Sequence, residues 1–136
     1  MKLTIENIKK NFYTIDKMVN VKGKWTLITG AARGIGYLAA QFMAKQGSNL
    51  ILQSRNIAHT EKILSEVKAL GVEAFAIEAE LGCEESVRKM LSAIDALGVN
   101  VEIVLNNAGF QIGYRTDYFK TPIADYTESF KVNTIA

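Results

Sequence analysis

A short glycine-rich segment between two apolar stretches constrains the fold of this chain more than any other feature. The segment reads TGAARGIG over residues 29–36. Residues 25–28 before it are apolar and β-prone, and large apolar residues recur after it at helical spacing, namely Leu38, Phe42 and Met43. This context predicts a buried strand, a tight turn and a helix that begins within the turn.

Each glycine of the segment has its own predicted task, and together they predict a diphosphate site. Gly30 would let the chain turn out of the strand, Gly34 would leave the backbone open to an anion, and Gly36 would let the helix pack closely. The free N–H groups of the first helical turn would then face the anion. No Lys-Ser/Thr pair follows Gly36, which disfavours a phosphate-transferring NTPase loop. A strand–glycine–helix turn without a ligand is the alternative.

Composition excludes several other classes of protein. The chain has 136 residues, enough for one domain with a core, and its 49% hydrophobic and 22% charged content is ordinary for a soluble protein. A net charge of +2 argues against a nucleic-acid binder driven by bulk charge. The single cysteine, Cys83, predicts no disulfide, no zinc cluster and a reducing, cytoplasmic location. No apolar run approaches the ~20 residues that span a bilayer, so no membrane association is expected.

Downstream of the glycine segment, strand-like and helix-like patterns alternate. Strands are predicted over residues 49–53, 72–77 and 101–105, and helices around residues 63–70 and 84–97. This alternation predicts an α/β fold, a Rossmann-type doubly wound parallel sheet with strand order 3-2-1-4. Thr121 and Pro122 predict a further helix, with Pro122 in its first helical position.

Ahead of the first strand, residues 1–22 read as an amphipathic extension. Their apolar residues follow a 3-4-3-4 spacing and are Ile5, Ile8, Phe12, Ile15 and Val19. We expect this stripe to pack on the body of the protein or on a partner subunit in preference to a membrane surface.

Three motifs in this order make the chain resemble the short-chain dehydrogenase/reductases. They are the glycine segment, the sequence NNAG at residues 106–109 and Asn133 within residues 131–133. Within that family the chain is most similar to three-oxoacyl-carrier-protein reductases and gluconate dehydrogenases. The resemblance implies a dinucleotide-binding domain at residues 23–136 that belongs to an oxidoreductase. Such an enzyme moves hydride between a nicotinamide and a carbonyl or alcohol substrate.

The resemblance also implies a role for individual residues. Those expected to bind the cofactor lie in turns after the strands and are Gly30, Arg33, Gly34, Ile35, Gly36, Glu80, Leu81, Asn107, Ala108 and Gly109. Glu80 stands where the family usually has Asp, and Asn106 is expected to brace the sheet. Asn133 matches the catalytic asparagine that holds a water in the proton relay. For the asparagines after strand 4, a simple Asx-turn is the alternative.

The choice of cofactor follows from the residues after strand 2. NAD binders place an acidic residue there to accept hydrogen bonds from the ribose hydroxyls, whereas residues 53–56 read QSRN. Arg55 would pair with a 2′-phosphate, Arg33 can reach the same group, and Ser54 can donate to it. The sequence therefore predicts NADP (NADPH), with a solvated surface Arg55 as the alternative.

The family's remaining catalytic residues, a serine and a Tyr-xxx-Lys pair, are expected after Ala136. The chain is therefore expected to belong to a reductase of about 250 residues and to be inactive by itself. In the family, subunits pair through the helix that begins at Pro122, which implies a homodimer or homotetramer. The alternative function is a non-catalytic nucleotide-binding or scaffold protein with the same fold.

Overall fold

The structure is a computed structural model that describes residues 19–113 and 117–135. The predicted apolar stripe of the N-terminal extension therefore lies outside the described residues, except for Val19, which is exposed.

Four strands and four helices alternate in the part of the chain that the structure describes. They are β1 (Trp25–Ile28), α1 (Gly34–Lys45), β2 (Asn49–Ser54), α2 (Glu61–Ala69), β3 (Ala74–Glu78), α3 (Glu84–Ala96), β4 (Val101–Leu105) and α4 (Ile123–Phe130). Short 3-10 turns occupy Ile57–Thr60 and Tyr118–Lys120, and a π-helical turn, Lys131–Ile135, continues α4.

The strands form one parallel sheet in the order β3-β2-β1-β4, as predicted. Ile28 lies beside Leu52 of β2 and Leu105 of β4, and Leu52 lies beside Ala76 of β3. The carboxyl ends of all four strands therefore meet along one edge of the sheet. In open parallel sheets this is the edge where ligands bind.

Apolar residues on both faces of the sheet hold the helices. Leu50 and Leu52 belong to one buried cluster with residues of α1 and α2, whereas Ile51 belongs to a second cluster with Met90 and Ile94 of α3. Because successive strand residues point to opposite faces, the two clusters lie on opposite sides of the sheet. This arrangement confirms the predicted doubly wound architecture.

Small residues form the buried face of α1. Leu38 and Phe42 are 64% and 55% exposed, and the helix buries Gly36, Ala40 and Ala44 instead. The reason is steric, since small residues let the helix axis approach the sheet closely. The spacing of large apolar residues predicted the helix correctly, and Met43 of that set packs against the buried cluster that contains Ala40 and Ala44.

Two predicted boundaries also need correction. β3 begins at Ala74, two residues later than predicted, and the N–H of the preceding Glu73 donates to the Asn49 side chain. Pro122 precedes α4 with an extended backbone (φ −62°, ψ 144°), so the helix begins at Ile123. Ile123 and Phe130 of α4 are 82% and 58% exposed, so these apolar side chains are not covered by the described chain.

Candidate cofactor-binding site

Two glycines shape the turn between β1 and α1. Gly30 has a φ of +65°, and a Cβ there would lie 3.0 Å from the Ala108 Cα. At Gly36 a Cβ would overlap the carbonyl oxygen of Gly30 and lie 2.5 Å from the side-chain nitrogen of Asn107. The glycine turn, the start of α1 and the segment after β4 therefore pack so closely that there is no room for a side chain at either glycine.

The amino end of α1 is left open beside this turn. Arg33 precedes the helix in an extended conformation, no side chain caps the first turn, and that turn carries no acidic residue. No atom lies within 4 Å of the position that a Cβ of Gly34 would occupy, and Ile35 is exposed. Unpaired N–H groups at a helix start attract anions, so the geometry suits a phosphate group.

Arg33 and Arg55 both lie at this edge of the sheet. Arg33 follows β1, Arg55 follows the adjacent strand β2, and both are exposed. Neither guanidinium makes an ion pair with any described residue. Two free cations therefore lie in turns that follow neighbouring strands.

The end of β2 is organised by buried polar groups. Gln53 is fully buried and accepts a hydrogen bond from the N–H of Gly30 (3.0 Å), while its side-chain amide donates to the carbonyl of Ala79 (2.8 Å). Ser54 is also buried, and its hydroxyl donates to the carbonyl of Asn56 at 2.6 Å. Contact between Ser54 and a phosphate would require that bond to be exchanged, which leaves Arg55 as the free donor of this turn.

The turn after β3 holds Glu80 and Leu81 in different environments. Glu80 is exposed, and its carboxylate accepts a hydrogen bond from the N–H of Gly82 at 3.2 Å. The Ser86 hydroxyl accepts from the N–H of Glu80 at 2.8 Å. Leu81 packs against the cluster around Met90. The carboxylate of Glu80 thus accepts a hydrogen bond from within its own turn.

The turn after β4 is tied to the glycine turn by Thr29 and Asn107. The Thr29 hydroxyl accepts hydrogen bonds from the N–H groups of Asn107 and Ala108, both at 3.0 Å. The Asn107 side chain donates to the carbonyls of Thr29 and Gly30, at 2.9 and 3.2 Å. Asn107, and not the exposed Asn106, therefore braces the sheet, because its side chain points back toward β1.

Asn133 connects α4 to the segment that follows β4. Its side-chain oxygen accepts from the N–H of Phe110 (2.7 Å), and its nitrogen donates to the carbonyl of Phe110 (2.9 Å) and to the Ser129 hydroxyl (3.1 Å). A Cβ on Gly109 would touch the Asn133 side-chain oxygen at 3.4 Å. Asn133 thus lies beside the predicted nicotinamide-side residues, with its amide bound to backbone.

A polar cluster joins α1 to α2. The Tyr37 hydroxyl donates to Glu66 at 2.5 Å, and Gln41 donates to the same carboxylate oxygen at 2.9 Å. The hydrogen bond from Tyr37 is the main cause that lowers the pKa of Glu66, and the same bond raises the pKa of Tyr37. The cluster fixes the orientation of the helix whose amino end forms the candidate site.

Sequence reasoning missed the two residues that order these turns. In the sequence, Thr29 stands out only as part of the glycine motif, and Gln53 only as a position without an acid. The available signal was a polar residue at the end of an apolar strand. Such a residue is buried with its polar atoms bonded, and every buried side-chain polar atom of the described residues has a partner.

Neither a metal site nor a membrane span is found within residues 19–113 and 117–135. No three His, Cys, Asp or Glu side chains in these ranges are grouped so that they could hold a metal ion. No helix there has the length and apolar character needed to cross a bilayer.

The sequence is similar to a known protein family and to individual enzymes. The sequence model of the short chain dehydrogenase family matches residues 24–136. The 3-oxoacyl-acyl-carrier-protein reductase FabG of Aquifex aeolicus is 32% identical over 116 residues, which cover 85% of this chain and 46% of that protein. The chain spans less than half the length of the curated relatives it matches.

Solved structures resemble the fold closely. NAD+-bound xylitol dehydrogenase has a TM-score of 0.78 and 26% identity, covering 86% of this chain and 45% of the other. The NADP complex of RhlG from Pseudomonas aeruginosa has a TM-score of 0.75 and 26% identity, covering 87% and 46%. Similar structures thus include both an NAD complex and an NADP complex.

Proposed function

Because the chain belongs to the short-chain dehydrogenase family, we propose that it forms the cofactor-binding half of an NADP-dependent oxidoreductase. The complete enzyme would reduce a carbonyl group or oxidise the corresponding alcohol on a small molecule. NADPH, when bound, supplies the hydride for the reduction. The proposal extends to a chain longer than 136 residues, which would carry the serine and the Tyr-xxx-Lys pair.

The observation that carries the proposal is that Arg33 and Arg55, beside an uncapped helix start, have no ion-pair partner among the described residues. Arg33 and Arg55 follow adjacent strands, and residues 53–56 contain no carboxylate that would repel a 2′-phosphate. The open amino end of α1 suits the diphosphate. A guanidinium forms strong, charge-assisted hydrogen bonds to phosphate, which supports NADP over NAD.

The other predicted site residues have supporting tasks in this proposal. Asn107, Ala108 and Gly109 would line the ribose next to the nicotinamide. Asn133 would keep that segment in place through Phe110 while its position in the family's proton relay remains a prediction. Glu80 and Leu81 would border the adenine, with the Glu80 carboxylate turned into its own turn.

Several wider features belong to the same proposal. The exposed apolar residues of α4 would serve a homodimer or homotetramer of the complete protein. The division into an extension at residues 1–22 and a domain from residue 23, and the cytoplasmic location, also remain predictions. A substrate like those of three-oxoacyl-carrier-protein reductases is favoured by the similarity to the Aquifex aeolicus enzyme.

The deciding experiment measures binding of NADPH and NADH to the full-length protein by nicotinamide fluorescence. We expect the dissociation constant for NADPH to be lower by at least about tenfold, the contribution of a charged phosphate contact. Equal affinities, or a preference for NADH, would overturn the choice of cofactor. A panel of ketones and alcohols then tests turnover. Tight binding without turnover of any member would favour the non-catalytic nucleotide-binding alternative.

A further inference from the structure

The buried side chain of Gln53 links the glycine turn to the turn after β3. Gln53 is 1% exposed and lies in β2, between β1 and β3. Its side-chain oxygen accepts from the N–H of Gly30, and its side-chain nitrogen donates to the carbonyl of Ala79. The turns after β1 and β3 are therefore connected through one amide group.

The backbone of Gln53 adds a third contact to the same turn. Its carbonyl accepts a hydrogen bond from the N–H of Ala31 at 2.9 Å. Two successive N–H groups of the glycine turn, those of Gly30 and Ala31, thus point down to Gln53 and not toward the open end of α1. The direction in which the following N–H groups point depends on this anchoring.

The amide of Gln53 suits these two bonds in both chemistry and length. A glutamine carries one acceptor and one donor at the end of two methylenes, which matches the spacing between Gly30 N–H and the Ala79 carbonyl. A carboxylate would face the Ala79 carbonyl with a second acceptor, and an apolar residue would leave both backbone groups without partners.

We propose that Gln53 is a positioning residue for the diphosphate of the cofactor, acting through the backbone of Gly30 and Ala31. It touches no cofactor atom itself. This inference rests on the proposed function, because it concerns how the chain holds NADP. It assigns to the end of β2 a second task beside the phosphate selection by Arg55.

The test uses the full-length protein and its Gln53→Met variant, which keeps the volume of the side chain and removes both hydrogen bonds. Dissociation constants are measured for NADPH, which carries the diphosphate, and for 2′-AMP, which does not. Thr26→Val is the matched control. It removes a buried side-chain hydrogen bond to Ser48 (2.8 Å) in the same sheet, away from the turns.

We expect Gln53→Met to raise the dissociation constant of NADPH by at least about tenfold while that of 2′-AMP stays within about twofold. Thr26→Val should lower the melting temperature and leave both constants within about twofold of the wild type. Unchanged NADPH affinity in folded Gln53→Met would overturn the inference, as would an equal loss for the two ligands. If the wild type itself fails to bind NADPH, the proposed function fails instead.

A second variant and a second measurement cover the case in which Gln53→Met does not fold. Gln53→Asn is polar but one methylene shorter, so it cannot reach both partners, and the same split between ligands is expected. Hydrogen exchange of the Gly30 amide in the ligand-free wild type gives an independent readout. Slow exchange supports the anchoring, and exchange at the rate of an open loop contradicts it.

Discussion

Asn107 and Thr29 hold each other through two hydrogen bonds although they are 78 residues apart in the chain. The Asn107 side chain donates to the Thr29 carbonyl, and the Thr29 hydroxyl accepts from the Asn107 N–H. Thr29 follows β1 and Asn107 follows β4, so the two bonds join the glycine turn to the turn after β4.

Replacing Asn107 by alanine is expected to destabilise the protein and weaken cofactor binding. The carbonyls of Thr29 and Gly30 would lose their shared donor, which costs about 1–3 kcal/mol for partly buried groups. Urea unfolding gives the free energy and NADPH fluorescence the affinity. Asn106→Ala is the control, because Asn106 is exposed, and its effect should stay within about 0.5 kcal/mol. Equal effects of the two variants would contradict the bracing role of Asn107.

Removing the Arg55 guanidinium should reduce the preference for NADPH. We expect Arg55→Ala to raise the dissociation constant of NADPH by about 10- to 100-fold and to leave that of NADH almost unchanged, because only NADPH carries the 2′-phosphate. Arg88→Ala on α3 is the matched control, since Arg88 is an exposed arginine paired with Glu84. Parallel losses for both cofactors would show that Arg55 acts in some other way.

A methyl group at Gly36 should disrupt the turn. Because the Cβ would overlap the Gly30 carbonyl oxygen, α1 would have to move away from β1, at a cost of about 1–3 kcal/mol or more. Thermal unfolding of Gly36→Ala measures the loss. Gly113→Ala serves as the control because nothing lies within 4 Å of its added Cβ. A wild-type melting temperature for Gly36→Ala would mean that the turn is less tightly packed than described.

The bond between Tyr37 and Glu66 should make stability depend on pH in the acid range. Because this bond lowers the pKa of Glu66 from its usual 4.5, its contribution is complete above that value and is lost as the pH falls through the lowered pKa. The raised pKa of Tyr37 makes stability depend on pH in the alkaline range. There the contribution is complete below 10.0 and is lost as the pH rises through the raised value.

The difference in melting temperature between the wild type and Tyr37→Phe should therefore be constant at neutral pH and shrink below pH 4.5. Tyr126→Phe, a change at an exposed tyrosine of α4, is the control and should show no such dependence. A Tyr37→Phe difference that persists unchanged into strong acid would rule out the carboxylate as the relevant partner.

Loss of the Asn133 amide should loosen the segment after β4 without unfolding the domain. Asn133 is exposed, so water can replace its bonds to Phe110, and we expect Asn133→Ala to cost less than about 1 kcal/mol. Hydrogen exchange at the Phe110 amide should become faster, whereas Thr134→Ala, a change at an exposed neighbour, should leave it unchanged. Unaltered exchange in Asn133→Ala would show that the bonds between Asn133 and Phe110 do not order this segment.

The fold could be predicted because the relevant signals are local. Apolar runs of four to six residues, separated by helical stripes, determine strand and helix, and the handedness of crossovers then fixes the strand order. The glycine spacing located the turn for the same reason, since a positive φ at Gly30 and close contact at Gly36 admit almost no other residue.

The details of the site depend on contacts between distant residues, which a single sequence does not specify. Asn106 and Asn107 are chemically identical, and only the direction of the chain after β4 decides which one reaches Thr29. The sequence predicts Ser54 as a phosphate donor, but its hydroxyl donates to the carbonyl of Asn56, a contact that the sequence does not specify. The spacing of large apolar residues predicts α1, but the face that packs on the sheet depends on the close approach that Ala40 and Ala44 allow.

The position of β1 between β2 and β4 has a consequence for synthesis on the ribosome. Thr29, directly after β1, donates hydrogen bonds to the carbonyl of Leu105, which is synthesised 76 residues later. At roughly 5–20 residues per second the nascent polypeptide lacks that partner for roughly 4–15 seconds. Among the four described strands β1 is made first, yet its edge toward β4 stays unpaired until the last of the four has been made.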